Sequence, residues 1–382
     1  VSHSKHYVTY CMIIFIDCHW FNCGKVFVWR VSSTSSSLIA RSDYMSKANV
    51  LLIGTGGVGT VVACGLVYNG SSTVSVVVRR DYEKVKNDGW TINSVDYGNL
   101  TNWKPDHIYP TVEDAGKGQE FDYVVITTKN LPDVIKPEDV AEPAITPGKT
   151  TIVLIQNGFD LARPFIAKYP NNICLSGVSH IGSHNHGGVI TQSLQDKCLI
   201  SYFENPNIEK PVQEAKAKEF VQIYSNDKNN VTYFPDVKYS RYEKLIYNAT
   251  MNTVCALTGV DSGRVKLAGV LDSISIPAMY EVIKVAKADG VDLSTDFIDF
   301  TVKSCDSGFY KPSMLVDVEK GNPIELEVIL GNLLTVAKEL KVETPTLTVL
   351  YNLLKATQFK MKEGKGLIKV PEDRPINDAD YN

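Results

Sequence analysis

Three polar residues recur at intervals of four along one predicted helix. Lys244, Asn248 and Asn252 are spaced i, i+4 and i+8, so they lie along one face of a helix over residues 238–258. Asparagine is unfavourable in the middle of a helix, and two of them beside a lysine indicate the wall of a polar groove. An ammonium group there can stabilise negative charge on an oxygen and then give up its proton. The alternative is a stripe that faces solvent.

Ser313 and Glu325 form a second pair of candidates, twelve residues apart. Each also has a purely structural interpretation. Asn322, Pro323 and Glu325 fit the cap, first and third positions of a capping box at the start of a helix over 324–341. Ser313 could likewise cap a helix. The residues alone therefore leave open whether this pair acts in chemistry or in helix capping.

A glycine-rich turn follows the apolar run 50–53 and precedes a helical pattern, and a second strand pattern follows at 73–78. In a G-x-G-x-x-G turn the first glycine permits the tight bend, the second lets a pyrophosphate touch the backbone, and the third lets helix and strand pack closely. The N-terminus of the helix offers free N–H groups to phosphates. We predict a dinucleotide site rather than the glycine-rich loop of some other α/β protein, formed by Gly54, Thr55, Gly56, Gly57, Val58 and Gly59.

The end of the second strand indicates which dinucleotide is bound. An NAD site carries an acidic residue about 20 residues past the glycines, where it binds the ribose 2′-hydroxyl. This chain has Arg79 there, followed by Arg80, with Lys84 and Lys86 nearby. A guanidinium grips a 2′-phosphate that a carboxylate would repel. The sequence therefore predicts NADP(H), and the alternative is a solvated arginine pair at a strand end.

Lys129 and Asn157 each follow an apolar strand pattern, at 121–128 and 150–156 respectively. Ligands of open α/β sheets bind at the carboxyl ends of parallel strands, so both residues are candidates for the site. Taken singly, Lys129 is equally explained as a solvated loop lysine. Asn157 is equally explained as part of an ordinary Asn-Gly turn.

The order of the elements predicts an α/β fold. Continuous apolar strands are typical of a parallel sheet covered on both faces, and they alternate with helices up to about residue 236. Five long helical patterns then follow, so we expect a doubly wound nucleotide domain followed by an all-helical domain. A polar stretch over 205–230 is expected to be a linker. The predicted divisions are an extension at 1–44, the nucleotide domain at 45–236, the helical domain at 237–362 and a loose tail at 363–382. The helical patterns cover 238–258, 267–290, 294–306, 324–341 and 343–361.

Composition excludes several functional classes. The net charge is −4 and no basic tract is present, so nucleic acid is not expected as a partner. Eight cysteines without a C-x-x-C pair fit reduced thiols of an intracellular protein. No metal site is expected at His180, His184 and His186, because no Cys, Asp or Glu at ligand spacing accompanies them.

Residues 1–44 do not match the rest of the chain. They mix aromatic and apolar residues without a clean period, and Met45 follows them directly before the first strand. We interpret them as an extension outside the fold, with an organellar presequence or a membrane anchor as alternatives. Charged residues interrupt the apolar stretch, so no membrane association is expected. The cytoplasm is the expected location, or the mitochondrion if the segment is a presequence.

Taken together and in this order, the motifs from about 45 to 360 resemble the ketopantoate reductase (2-dehydropantoate 2-reductase) family. The resemblance rests on the glycine turn, Lys129, the Gln156-Asn157-Gly158 turn, the 244–252 helix, and Ser313 followed by Glu325. It implies a Rossmann domain followed by a helical domain. It also implies NADPH-dependent reduction of a 2-oxo acid to a D-2-hydroxy acid, here 2-dehydropantoate to (R)-pantoate on the route to pantothenate. Pro312 departs from the small polar residue expected before Ser313.

The resemblance also implies roles for the candidates. Lys244 would be the general acid that protonates the carbonyl oxygen, and Glu325 would act on the polar network of that oxygen or support Lys244. The helical domains of the family associate, so a homodimer is expected. The alternatives are an NADP-dependent reductase of another 2-oxo acid and a non-catalytic NADP(H) sensor. Asn248, Asn252 and Ser313 would hold the substrate, Lys129 and Asn157 would sit at nicotinamide and substrate, and Arg79 would take the 2′-phosphate.

Overall fold

A computed structural model describes residues 47–304, 306, 308–371 and 373, so the predicted extension at 1–44 lies outside the described residues. These residues form twelve strands and fourteen α-helices. The strands are β1 (Ala48–Ile53), β2 (Ser72–Val77), β3 (Trp90–Ser94), β4 (Gly98–Trp103), β5 (His107–Tyr109), β6 (Tyr123–Ile126), β7 (Thr151–Leu154), β8 (Cys174–Ser179), β9 (Gly182–His186), β10 (Val189–Leu194), β11 (Lys197–Phe203) and β12 (Asn230–Tyr233).

Most of the helices follow the last strand. The α-helices are α1 (Gly57–Asn69), α2 (Tyr82–Asp88), α3 (Val112–Gly116), α4 (Pro137–Val140), α5 (Arg163–Lys168), α6 (Lys210–Tyr224), α7 (Val237–Ile246), α8 (Asn252–Thr258), α9 (Ser262–Leu267), α10 (Ile276–Ala288), α11 (Asp296–Ser304), α12 (Ser313–Glu319), α13 (Asn332–Glu339) and α14 (Pro345–Gly364). Three π-helical turns interrupt this region, at Tyr247–Met251, Leu271–Ser275 and Glu327–Gly331. None of the long segments in the described part of the chain is apolar enough to be a membrane-spanning helix.

The main sheet has eight strands in the order β12-β11-β8-β7-β6-β1-β2-β5. The six neighbouring strands β8, β7, β6, β1, β2 and β5 are all parallel. On the other side of β8, strand β11 runs antiparallel to it. The strand order reverses between β1 and β6, and open α/β sheets bind ligands at the carboxyl ends beside such a reversal. The sheet and the helical region after it confirm the predicted Rossmann-type fold class.

A second sheet, in the order β4-β3-β10-β9, was not predicted. Strands β9 and β10 form a hairpin whose two-residue loop is Gly187-Gly188, with φ values of 59° and 89°. Two successive left-handed residues are typical of a tight hairpin turn, and glycine adopts that conformation without strain. The hairpin packs beside α1 and therefore close to the glycine turn.

The stretch over 205–230 is not the polar linker that its composition indicated. It contains α6, which buries Ala217, Phe220 and Tyr224 against the sheet. Most residues of this helix are polar because they cover its solvent face. The average polarity of the segment therefore concealed a narrow apolar stripe.

Other boundaries also differ from the prediction. Helix α9 lies almost wholly outside the predicted helical patterns, and α12 was foreseen only as a helix that Ser313 could cap. The helix expected over 324–341 begins only at Leu326. Helix α14 continues to Gly364, two residues into the expected loose tail, and residues 372 and 374–382 lie outside the described residues. Strand β12 ends four residues before α7, but the proposed division at 236 stays a prediction.

Two hydrophobic clusters fix the arrangement. One face of the main sheet packs on α1, α6 and the second sheet. The other face shares a core with the helical region, in which Leu51, Val124 and Ile152 pack in the same cluster as Leu245 and Met279. Burial of this much apolar surface holds α7 against the sheet. Polar residues of α7 can therefore reach the carboxyl ends of the strands.

Candidate active site

The glycine turn is shaped by contacts that exclude side chains at three of its glycines. A Cβ at Gly59 would lie 1.8 Å from the carbonyl oxygen of Gly54, and one at Gly57 would lie 2.5 Å from the backbone of Ser183. Gly54 itself has φ +108°, which disfavours any other residue. Gly56 differs, because a Cβ there would meet no atom within 4 Å. The turn is thus packed on its inner side and open at the start of α1, where a pyrophosphate can approach the backbone.

Neighbouring residues hold the turn in place. The Asn185 side chain of the hairpin donates a hydrogen bond to the carbonyl of Thr55 at 3.1 Å. The hydroxyl of Thr60 donates to the carbonyl of Gly56 at 2.9 Å. Val58 faces the core and packs against the cluster behind the sheet. The predicted turn residues therefore form a rigid loop with one accessible side.

Arg79 lies two residues past β2, next to the strand that ends in the glycine turn. Its side chain is exposed, as is that of Arg80. The other nearby cations are engaged elsewhere, since Lys84 donates to the carbonyl of Gly187 and Lys86 lies over the Tyr82 ring. Arg79 is therefore an exposed cation at the end of β2, and its role in binding the ribose phosphate stays a prediction.

A buried carboxylate links the carboxyl edge of the sheet to the helical region. Glu325 is 4% exposed and accepts hydrogen bonds from the Asn130 backbone at 3.1 Å and the Asn157 side chain at 3.2 Å. The Lys129 amine lies 3.3 Å from Glu325 and 2.9 Å from Asp317. Two residues predicted from strand ends and one from the helical region thus meet at one point.

Neither capping interpretation holds. Glu325 precedes the first helical residue, Leu326, and its carboxylate crosses to the sheet instead of bonding to its own helix. Ser313 is the first residue of α12 and makes no capping hydrogen bond. Its hydroxyl instead accepts a hydrogen bond from the Asn252 side chain at 3.4 Å, and Asn252 also accepts one from the Met314 backbone at 2.9 Å.

The stripe of Lys244, Asn248 and Asn252 faces inward, so its solvent-facing alternative is wrong. Asn248 is 7% exposed and Asn252 is 1% exposed, while Lys244 is half-buried and donates to the carbonyl of Ser179 at the end of β8. In a regular α-helix, residues four apart drift by about 40° around the axis. The π-helical turn at Tyr247–Met251 rotates less per residue, so it counters that drift and keeps the stripe on one wall.

The two lysines have opposite electrostatic environments. Burial and the positive charge of Arg241 lower the pKa of Lys244 to about 8, against the opposing charge of Glu325. Burial also acts to lower the pKa of Lys129, but Glu325 and Asp317 outweigh it and raise that pKa above its ordinary value. Lys129 is therefore a fixed charge, whereas Lys244 can exchange a proton near neutral pH. Environments that shift the pKa values of two neighbouring groups in opposite directions are typical of a general acid and a charged residue that supports it.

Two members of the cluster were missed from the sequence. Asp317 lies four residues after Ser313, so the spacing of a helical face could have indicated it. Asn130 contributes its backbone N–H, which no side-chain pattern can reveal. Elsewhere in the described ranges, no three or more His, Cys, Asp or Glu residues are grouped to hold a metal ion.

The chain is similar to known proteins over most of its length. The family described as Ketopantoate reductase PanE/ApbA matches residues 50–205, and its C-terminal part matches residues 236–358. The uncharacterized protein YDL144C of Saccharomyces cerevisiae is 41% identical over 85% of this chain and 98% of its own length. A 2-dehydropantoate 2-reductase of Nostoc is 24% identical, over 84% of this chain and 98% of its own.

A solved structure supports the same assignment. The crystal structure of 2-dehydropantoate 2-reductase from Methylococcus capsulatus is 29% identical, with a TM-score of 0.68, and the match covers 82% of this chain and 97% of that one. The match thus spans nearly the whole of that chain. The chain belongs to the ketopantoate reductase family and is an oxidoreductase that acts on CH–OH groups.

Proposed function

We propose that this protein uses NADPH to reduce a 2-oxo acid to a D-2-hydroxy acid, and that the acid is 2-dehydropantoate, which gives (R)-pantoate for pantothenate biosynthesis. One observation carries the proposal. The Lys244 amine, with its pKa lowered to about 8, lies at the carboxyl end of β8 within the electrostatic influence of Glu325 and Lys129. A proton donor at this edge is what reduction of a carbonyl requires.

The residues of the chain divide the work of the reaction. NADPH, when bound, supplies the hydride that reaches the carbonyl carbon of the substrate. Negative charge then develops on the carbonyl oxygen, where the Lys244 ammonium stabilises it and transfers a proton from Nζ to that oxygen. The neutral amine regains a proton from solvent. Glu325 supports this step by fixing Lys129 and the Asn157 turn beside the reacting group.

Different groups of residues would hold the substrate and the cofactor. Asn248, Asn252 and Ser313 would bind the carboxylate and hydroxyl groups of the acid, since their amide and hydroxyl groups line the wall next to it. Gly56 and the start of α1 would accept the pyrophosphate. A location in the cytoplasm and assembly as a homodimer stay predictions.

Arg79→Glu should raise KM for NADPH by about 100-fold and change KM for NADH much less. The expected scale follows from exchanging a charge-assisted contact for repulsion of the 2′-phosphate. Steady-state kinetics with both cofactors measure it. Lys149→Glu is a matched control, because it reverses an exposed charge just before the amino end of β7, whereas Arg79 follows the carboxyl end of β2. A parallel change for both cofactors would count against 2′-phosphate recognition.

The proposed substrate is tested with a panel of 2-oxo acids that includes 2-dehydropantoate. NADPH oxidation is followed by its absorbance, and the highest kcat/KM is expected with 2-dehydropantoate. Preference for another 2-oxo acid would replace the substrate while keeping the reaction. NADPH binding without oxidation in the presence of any acid would instead favour a sensor.

A further inference from the structure

Arg241 is a buried cation with no carboxylate partner among the described residues. It is 3% exposed, lies on α7 one turn before Lys244, and stacks on the Phe203 ring at 5.5 Å. Its guanidinium donates only to uncharged oxygens: the hydroxyl of Ser176 at 2.9 Å and the carbonyls of Gln156 at 2.6 Å, Gly158 at 3.1 Å, Leu154 at 3.3 Å and Gly177 at 3.4 Å.

These acceptors place Arg241 at the centre of the site's framework. They lie at or just past the carboxyl end of β7 and in the middle of β8, and two of them, Gln156 and Gly158, flank Asn157. The Asn157 side chain in turn donates to Glu325. One guanidinium therefore joins the helix that carries Lys244 to the turn that contacts the buried carboxylate.

The charge of Arg241 also persists at neutral pH. Burial lowers its pKa to about 10, which still leaves the guanidinium protonated. Burying a cation without an acidic partner destabilises a fold, even when neutral oxygens accept its hydrogen bonds. A glutamine could satisfy several of the same carbonyls without that cost, so packing alone does not explain an arginine here.

The other groups that face Lys244 do not balance this charge. Burial raises the pKa of Cys198 on β11, so its thiol is neutral. Burial and the positive charge of Lys244 lower the pKa of His180 to about 4, so that ring is also neutral. Lys129 and Glu325 are paired with each other. Arg241 is therefore the nearby positive charge that acts on Lys244 without an acidic partner of its own.

We propose that Arg241 is a positioning residue of this site, which locks the Lys244 helix to the Asn157 turn and supplies the unpaired charge that promotes proton release from Lys244. The proposal rests on the proposed function, in which Lys244 donates the proton. It assigns a role to an arginine that touches neither substrate nor cofactor in that scheme. Its effect is expected on the titration of Lys244.

The test measures that titration directly in the protein without cofactor. Competitive acetylation across a pH series, read by mass spectrometry of the Lys244 peptide, gives the midpoint of the amine. We expect a midpoint of about 8 for the Lys244 amine in the unchanged protein. In Arg241→Gln the midpoint should rise by about one pH unit, which is the usual effect of removing one neighbouring charge. Arg241→Lys keeps a cation and should stay near the unchanged value. Lys238→Gln is the matched control, since it removes an exposed charge from the same helix.

A second pair of variants keeps the guanidinium and its carbonyl contacts. Ser176→Asp places a carboxylate beside Arg241. It should raise the titration midpoint of Lys244 by neutralising the charge of Arg241. Ser176→Asn introduces an uncharged side chain of nearly the same shape as aspartate and should leave the midpoint unchanged. This pair decides the question if Arg241→Gln does not fold by circular dichroism. An unchanged midpoint in folded Arg241→Gln or Ser176→Asp would overturn the proposal.

Kinetics provide an independent readout. Reduction needs the protonated amine, so kcat should fall as pH rises through about 8, and this limb should move to higher pH in Arg241→Gln. Because acetylation requires neither NADPH nor substrate, the two hypotheses fail separately. A shifted midpoint without turnover of any 2-oxo acid would refute the proposed function and leave the role of Arg241 intact.

Discussion

Replacing Lys244 by alanine should lower kcat for reduction of the 2-oxo acid by at least about 100-fold, the usual scale for loss of a general acid. The Lys244 amine is the group of the candidate site whose pKa, about 8, allows proton transfer near neutral pH. Lys129 cannot replace it, because Glu325 and Asp317 hold its proton. Stopped-flow measurement of a single turnover separates this chemical step from product release.

The same variant should remain folded and should still bind NADPH. The Lys244 side chain is half-buried, and its removal leaves the Ser179 carbonyl at a position that water can reach. Lys238→Ala is the matched control on the same helix, where an exposed ion pair with Asp289 contributes little. Turnover in Lys244→Ala equal to that of the unchanged protein would remove this lysine from the mechanism.

Gly59→Ala should abolish measurable NADPH binding and lower the thermal stability of the protein. The added Cβ would lie 1.8 Å from the Gly54 carbonyl oxygen. That oxygen belongs to the backbone, and the position of a Cβ is fixed by its own backbone, so no side-chain rotation can relieve the clash. Overpacking of this kind costs about 1–3 kcal/mol and sometimes more. Differential scanning fluorimetry measures the change in Tm, and isothermal calorimetry measures the Kd for NADPH.

Gly56→Ala separates packing from ligand approach. A Cβ there meets no protein atom within 4 Å, and the residue has an ordinary φ of −70°. The variant should therefore have the same Tm as the unchanged protein. Its affinity for NADPH should fall by about 10-fold or more, because the methyl group would block the approach of the pyrophosphate to the backbone. Unchanged affinity would mean that the dinucleotide does not approach the backbone at this glycine.

The parts of the fold that could be predicted are those in which local pattern and tertiary context agree. Strands β1, β6 and β7 are continuous apolar runs because helices or sheets cover both faces, and this signal is local. Helix α6 was hidden because its buried stripe is narrow. The second sheet was missed because β3 and β10 pair across nearly one hundred residues, and no local period records such a partner.

The site divides in the same way. The Lys244 stripe could be predicted from its spacing along a helix. Lys129 and Asn157 could be predicted because they follow apolar strands, whose carboxyl ends bind ligands in parallel sheets. The contacts of the Glu325 side chain could not be predicted in this way, because the residues around it fit a capping box equally well. Only the tertiary packing of the segment before Leu326 against the strand ends brings the Glu325 carboxylate to the Asn130 backbone and the Asn157 side chain. The interrupting π turn likewise depends on packing that no propensity scale describes.

The hairpin behind the glycine turn has a consequence for biosynthesis. Asn185 and Thr55, which it joins, are 130 residues apart in the chain. The glycine turn is therefore synthesised long before the hairpin strands that support it. During that interval the nascent turn lacks its native contacts. Contacts of such wide separation slow folding, so chaperone demand should be highest while β2 to β8 are being synthesised.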